Sequence, residues 1–203
     1  MNDATRLLAE NELKKYDLNA ALAIETQLPS FEIRNAGGKV IIAAPDSIEL
    51  LYGVYDLAER FGGYSFFEPG RDRFDAARKV PVPEGIAVSA RKPLLKRRGF
   101  IQEFPFNAET PQLFDWMAKN KLNYLLVWMK YYDELSKESK EAARIRGIVI
   151  ESGHHNFNYW IPGRKYGGSH PEFFAEINGK RIQSSDGKSE LLLSEQLCTT
   201  NPE

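Results

Sequence analysis

Tyr124-Leu125-Leu126-Val127-Trp128-Met129 decides how the second half of the chain is read. This apolar run is too short to span a membrane and too unbroken for a sheet with one wet face; buried parallel strands have this character. The pattern repeats on either side of it. Gly99-Phe100-Ile101-Gln102 reads as a strand before it, and Gly147-Ile148-Val149-Ile150-Glu151 as a strand after it. Between the first two, Thr110 caps a helix with Pro111 at its first position, and Leu113, Phe114, Met117 and Ala118 form the buried stripe. Between the second and third, residues 133–146 read as one charged helix with Leu135, Ala142, Ala143 and Ile145 facing inward. Strands and helices alternating at this rhythm predict a parallel sheet built from β/α units.

Working back from that sheet, the composition shifts. Residues 71–92 are rich in charge, proline and glycine, with Val80-Pro81-Val82-Pro83 as a stiff extended piece, and read as a connector. The domain boundary is set near Ala90, giving residues 1–90 and 91–203. The earlier domain reads as a small α/β sandwich. Residues 5–16 form an amphipathic helix carrying Leu7, Leu8 and Leu13. Phe31-Glu32-Ile33-Arg34 and Lys39-Val40-Ile41-Ile42-Ala43 flank Asn35-Ala36-Gly37-Gly38 as a hairpin. Asp46 or Ser47 caps a helix whose face is Ile48, Leu51, Tyr52, Tyr55 and Ala58; Gly62-Gly63 ends it, and Tyr64-Ser65-Phe66-Phe67 is a further strand.

Beyond residue 163 the chain is loop-rich, with Asn178-Gly179 as a hairpin turn between Phe173-Phe174-Ala175-Glu176-Ile177 and Lys180-Arg181-Ile182. Residues 91–203 are fewer than half of the roughly 250 that a (β/α)8 barrel needs. The expected architecture is therefore α/β: a small α/β sandwich followed by the first β/α units of a TIM-like barrel, truncated.

The composition is that of an ordinary globular protein, at 42% hydrophobic and 27% charged, and the net charge of −1 supplies no field to draw nucleic acid or an anionic membrane. The basic run from Arg91 to Arg98 reads as a solvated connector. Cys198 is the one cysteine, so no intrachain disulfide exists. The first residues carry no signal-peptide pattern, so the chain as given is expected to be cytoplasmic. The glycine pairs lack the strand–turn–helix context of phosphate loops, and no cofactor is expected. Nothing in the pattern sets an oligomeric state.

Chemistry concentrates in Gly153-His154-His155-Asn156-Phe157-Asn158-Tyr159-Trp160-Ile161-Pro162, which follows the third strand without helical or strand period. Sugar sites combine aromatic faces, which cover the C–H face of a pyranose, with side chains that hydrogen-bond its hydroxyls. Trp160 fits the first role, and His154, His155 and Asn156 the second. Adjacent histidines on extended chain point opposite ways, so one faces a pocket while its neighbour packs. Zinc would need further ligands, and His170 and Cys198 alone are on offer, so no metal is expected. Glycosidases need two carboxyl groups at strand ends. Glu103 after the first strand and Glu151 at the third are the carboxylates so placed, Glu103 as a sugar contact. Lys130, or Arg164, is suited to pairing with a uronic acid carboxylate. Trp128 reads as core.

Two sets of residues carry a resemblance. Glu49-Leu50-Leu51-Tyr52-Gly53-Val54-Tyr55-Asp56-Leu57-Ala58-Glu59-Arg60-Phe61-Gly62 with Phe66-Phe67-Glu68-Pro69-Gly70 resembles the α/β domain that precedes the barrel in α-glucuronidases and β-N-acetylhexosaminidases. Ser152-Gly153-His154-His155, the segment from Ser169-His170-Pro171-Glu172 to Lys180-Arg181, and Gln196-Leu197-Cys198-Thr199-Thr200-Asn201-Pro202-Glu203 are similar to uncharacterised bacterial barrel domains found behind that module. The resemblance implies a carbohydrate-active glycoside hydrolase, and against its N-terminal domain the first strand here looks shortened or missing. It assigns no catalytic acid or base, because better-known relatives carry theirs on later strands, and it implies that this chain alone is inactive. The alternative is a non-catalytic carbohydrate-binding or scaffold module; a nucleotide-binding α/β protein is disfavoured for want of a glycine-rich strand–helix turn.

Overall fold

The computed structural model describes residues 3–103, 105–153, 160–181, 197–198 and 200. The chain divides into two compact units. The first comprises Met1–Ile101, Phe106–Leu125 and Leu135–Ile150; the second comprises Gln102–Pro105, Leu126–Glu134 and Glu151–Glu203.

The first unit is organised around helix α2 (Ser47–Arg60), in which ten of fourteen residues are buried, so the helix lies between layers rather than on a surface. Asp46 caps it, its carboxylate accepting the Glu49 N–H at 2.9 Å. On one side lies a sheet of β1 (Ala21–Ile24), β2 (Glu32–Ala36), β3 (Lys39–Ala44) and β6 (Ala87–Ser89), in the order β1-β3-β2-β6. The predicted hairpin is β2–β3, with Ala36 opposite Lys39 and with Gly37 and Gly38 both at positive φ, the two-residue turn that suits strand twist. The strand read as shortened or missing is short: β1, of four residues, pairs parallel with β3. Gly53 marks the closest approach of α2 to this sheet, since a Cβ there would lie 2.4 Å from Ile42 Cγ2.

Helix α1 (Asp3–Lys15) packs against α2. Phe61, not the glycine pair, is the C-cap of α2, and Gly62 already opens β4 (Gly62–Glu68). The connector read over residues 71–92 contains a nine-residue strand, β5 (Arg71–Lys79), antiparallel to β4. Tyr16, Tyr55, Tyr64 and Phe66 form an aromatic cluster, with ring centroids 4.7 to 6.4 Å apart in contacting pairs.

The third sheet consists of β7 (Gly99–Gln102), β8 (Tyr124–Trp128) and β9 (Val149–Gly153), neighbours in that order. The Asn123 and Tyr124 N–H groups donate to the Arg98 carbonyl, and the Val149 N–H to the Asn123 carbonyl, so the three strands start side by side. Helix α3 (Thr110–Lys119) joins the first two strands. The single helix expected over residues 133–146 is two, α4 (Met129–Glu134) and α5 (Lys137–Arg144), because the Ser136 hydroxyl accepts the Ser139 N–H at 3.1 Å and caps a new start. Within the first unit α3 packs against α5, and Phe114, Met117, Ala118, Leu125 and Ala143 are buried. The result is a mixed α/β protein of sheets and helices.

The second unit holds the distal ends of β7, β8 and β9, together with α4, a short helix α6 (Gly163–Tyr166), a 3-10 turn at Pro171–Phe173 and a hairpin of β10 (Glu176–Ile177) and β11 (Lys180–Arg181). Asn178 and Gly179 turn that hairpin at φ 53° and 74°, as Asn-Gly predicts. Phe174 is fully buried and bridges to Leu197, while Arg181 donates to the Phe174 carbonyl at 2.7 Å. No helix among the described residues is long and apolar enough to cross a membrane.

Candidate functional site

Each strand of the third sheet delivers one stretch of chain to the second unit. Strand β7 ends at Gln102, and Glu103 follows it with an exposed side chain. Strand β8 ends at Trp128, whose ring stacks on Tyr131 with centroids 5.6 Å apart and planes within 2°. Lys130, in the first turn of α4, is half-buried and engaged with neighbouring groups. Strand β9 ends at Gly153. His154, His155 and Asn156 lie outside the described residues. Trp160 is described and is 54% exposed, a poor position for a core tryptophan and a usable one for a stacking platform. Glu103, Lys130 and Trp160 thus belong to one compact unit, contributed by successive strand ends. Among the described residues no group of three or more His, Cys, Asp or Glu side chains could hold a metal ion.

A second concentration of ionisable groups, which sequence reading missed, lies in the first unit. Lys119 of α3 is 4% exposed; its ammonium donates to Asp72 at 2.7 Å and contacts Asp115. Lys15 reaches Asp72 at 3.0 Å, the Tyr16 hydroxyl donates to the same carboxylate at 2.9 Å, and Arg146 pairs with Asp115 at 3.1 Å. The Lys119 ammonium also lies 5.1 Å from the centre of the Phe66 ring. Burial tends to raise the Asp72 carboxyl, but bonds from Lys119, Lys15 and Tyr16 outweigh it and hold the group below the usual carboxylate range. Glu12, buried and 3.7 Å from Lys15, is shifted up, chiefly by burial. The Tyr16 and Tyr55 hydroxyls are pushed well up, again mainly by burial.

Perturbed groups of this kind can mark active sites. Here each strong charge is matched by an opposite one, and the cluster ties α1, β5, α3 and the chain after α5 together. It reads as a buried structural network. The signal that could have found it is weak: a lysine on the buried side of α3, four residues after Asp115.

The first unit also has a cavity of about 440 Å3 whose lining includes Tyr52, Lys92, Lys96 and Arg98 as well as Asp46 and Glu49. Its walls carry both signs of charge and so select for neither.

Over residues 67–203 the sequence matches the family described as "Domain of unknown function (DUF4838)". The chain belongs to that family. No curated protein matches this DUF4838 chain. Among solved structures it is similar to a glycoside hydrolase family 20 β-N-acetylglucosaminidase, with a TM-score of 0.50 and 16% identity, over 89% of this chain and 45% of that one. It also aligns with the family 89 glycoside hydrolase from Clostridium perfringens. In complex with PUGNAc that enzyme gives a TM-score of 0.45 and 18% identity, over 62% of this chain and 16% of that one. In complex with GlcNAc-α-1,4-galactose the values are 0.46 and 17%, over 70% and 18%. Scores below 0.5 support no assignment, and at 16% identity the family 20 likeness is one of fold. The DUF4838 chain spans less than half the length of these structures.

Proposed function

We propose that this chain is the carbohydrate-binding front part of a glycoside hydrolase, of α-glucuronidase or hexosaminidase type, with a small α/β domain over residues 1–90 and the opening β/α units of a (β/α)8 barrel over residues 91–203. The observation that carries the reading is the gathering of three successive strand ends, with residues 151–203, into one compact unit. Barrel enzymes build their sites at those ends. The strands support the barrel in a second way. Leu125 of β8 is fully buried, yet Ile101 of β7 and Val149 of β9 remain 55% and 58% exposed. An apolar sheet face left open in this way is what strands apolar on both sides present before further units close over it.

In this reading Trp160 is the platform for a pyranose C–H face. Glu103, with His154, His155 and Asn156 of the same segment, bonds sugar hydroxyls, and Lys130 pairs with a uronic acid carboxylate. Hydrolysis needs two carboxyl groups about 5–5.5 Å apart for retention or about 6.5–9.5 Å for inversion. We assign no such pair here, and the chain alone binds sugar without cleaving it. The test is to incubate the purified chain with aryl glycosides of N-acetylglucosamine and glucuronic acid, and separately to titrate the free sugars against tryptophan fluorescence. Quenching without aryl alcohol release is expected. Turnover would refute the inactivity, and failure of every sugar to bind would remove the carbohydrate reading itself.

A further inference from the structure

His170 lies in the second unit, just before the 3-10 turn, and its ring is held by three side-chain contacts. Its Nδ1 is 3.0 Å from Glu172 Oε1. The ring stacks on Phe173, with centroids 4.6 Å apart and planes within 7°, and Tyr166 flanks it at 6.5 Å. The backbone beneath is pinned as well, since the His170 N–H donates to the Tyr166 carbonyl and the Phe173 N–H to the His170 carbonyl. The side chain nevertheless remains 48% exposed. An exposed histidine in a loop ordinarily keeps its rotamer freedom, and fixing one has an entropic cost.

The carboxylate also fixes the tautomer. Its own backbone N–H first, and the His170 ring second, hold Glu172 below the usual carboxylate range, so it is ionised and can only accept. Nδ1 therefore carries the proton, and in the neutral ring Nε2 is left as a lone pair. The arrangement is a pre-oriented acceptor beside two aromatic rings, in the same unit as Glu103, Lys130 and Trp160.

We propose that His170 is a further sugar-contacting residue, whose Nε2 accepts a hydrogen bond from a pyranose hydroxyl. This rests on the carbohydrate reading above. A hydroxyl suits the site because it can donate to a lone pair, while its ring C–H groups lie against Phe173 or Tyr166.

The test uses the whole chain and the variant His170→Phe, which keeps a ring for the Phe173 stack and removes both nitrogens. Methyl glycosides of N-acetylglucosamine and glucuronic acid are titrated against tryptophan fluorescence and against the 15N signals of the histidine rings. The wild-type chain is expected to show the His170 Nε2 signal moving with saturation. His170→Phe should bind about ten-fold more weakly, as loss of one hydrogen bond does, at unchanged Tm. Glu172→Gln, whose amide frees the tautomer, should fall between the two. Equal affinity in all three chains overturns the proposal and leaves the carbohydrate reading standing; no binding by the wild-type chain overturns both.

Discussion

Replacing Lys119 by methionine probes whether the buried network holds α3 to the rest of the first unit. Methionine nearly matches the lysine stem, so the loss is mainly one of charge. Removing one partner of a buried pair typically costs about 3–5 kcal/mol, because the other charge is stranded. Here neither carboxylate is fully stranded. Asp72 keeps Lys15 at 3.0 Å and the Tyr16 hydroxyl at 2.9 Å, Asp115 keeps Arg146 at 3.1 Å, and the two are 22% and 20% exposed. The expected loss is therefore about 2–3 kcal/mol, at or below the low end of that range. At roughly 2–4 °C per kcal/mol for a chain of this size, Tm should fall by about 4–12 °C. Urea denaturation at neutral pH, followed by far-UV circular dichroism, measures the difference. A double-mutant cycle with Asp72→Asn should return a coupling of about 1–3 kcal/mol. Lys119→Met within about 0.5 kcal/mol of wild type, as for an ordinary surface change, would refute the reasoning, as would a coupling near zero.

The same network predicts a pH dependence. Because Asp72 titrates below its unfolded value, its contribution is present above about pH 4 and is lost as pH falls through the folded value, so Asp72→Asn should flatten the decline of Tm between about pH 5 and 2. Glu12 has the opposite sign: its ionised form is the disfavoured one in the fold, so Glu12→Gln should stabilise the chain at pH 7, and the gain should shrink as pH falls through the folded value and be gone below the unfolded one. Gly99→Ala would place a Cβ 1.6 Å from the Tyr124 carbonyl oxygen, a backbone atom that cannot swing aside, and should cost more than about 3 kcal/mol or yield no soluble protein. Trp160→Ala should change stability by less than about 0.5 kcal/mol, since the ring is 54% exposed, while abolishing sugar-induced quenching in the fluorescence titration.

Elements with a buried periodic face were legible in the sequence. Helix α2, the β2–β3 hairpin, β8 and the Asn178-Gly179 turn each pair a hydrophobic pattern with a cap or turn that demands it. Elements without such a face were not. Strand β5 is exposed along nearly all its length, so Arg71-Asp72-Arg73-Phe74-Asp75-Ala76-Ala77-Arg78-Lys79 shows no alternation, and its strand character comes from pairing with β4. Strand β1 is four residues long and half-buried, too short for a period to register. The break between α4 and α5 turned on Ser136, whose capping role depends on local geometry that a run of charges conceals. Of the candidate site, the ends of β7, β8 and β9 and the position of Trp160 outside a core were legible. The Lys119 network could not, because its members are scattered over four segments and meet through packing. The His170 geometry was equally hidden, since an i, i+2 contact with Glu172 follows from the turn rather than from spacing.

The sheet edges bear on how this chain behaves in concentrated solution. A strand edge with free N–H and C=O groups is a template on which another chain can add, and long, flat, apolar edges seed aggregates. The four-stranded sheet ends in β1 on one side and β6 on the other, four and three residues long, which leaves an incoming strand little to register against. The long edge is β5, with nine residues, and its exposed positions carry Arg71, Arg73, Asp75, Arg78 and Lys79. Its outer rim repels and hydrates where an apolar rim would recruit. The charges that hid β5 from sequence reading are the same ones that keep it from pairing with a stranger.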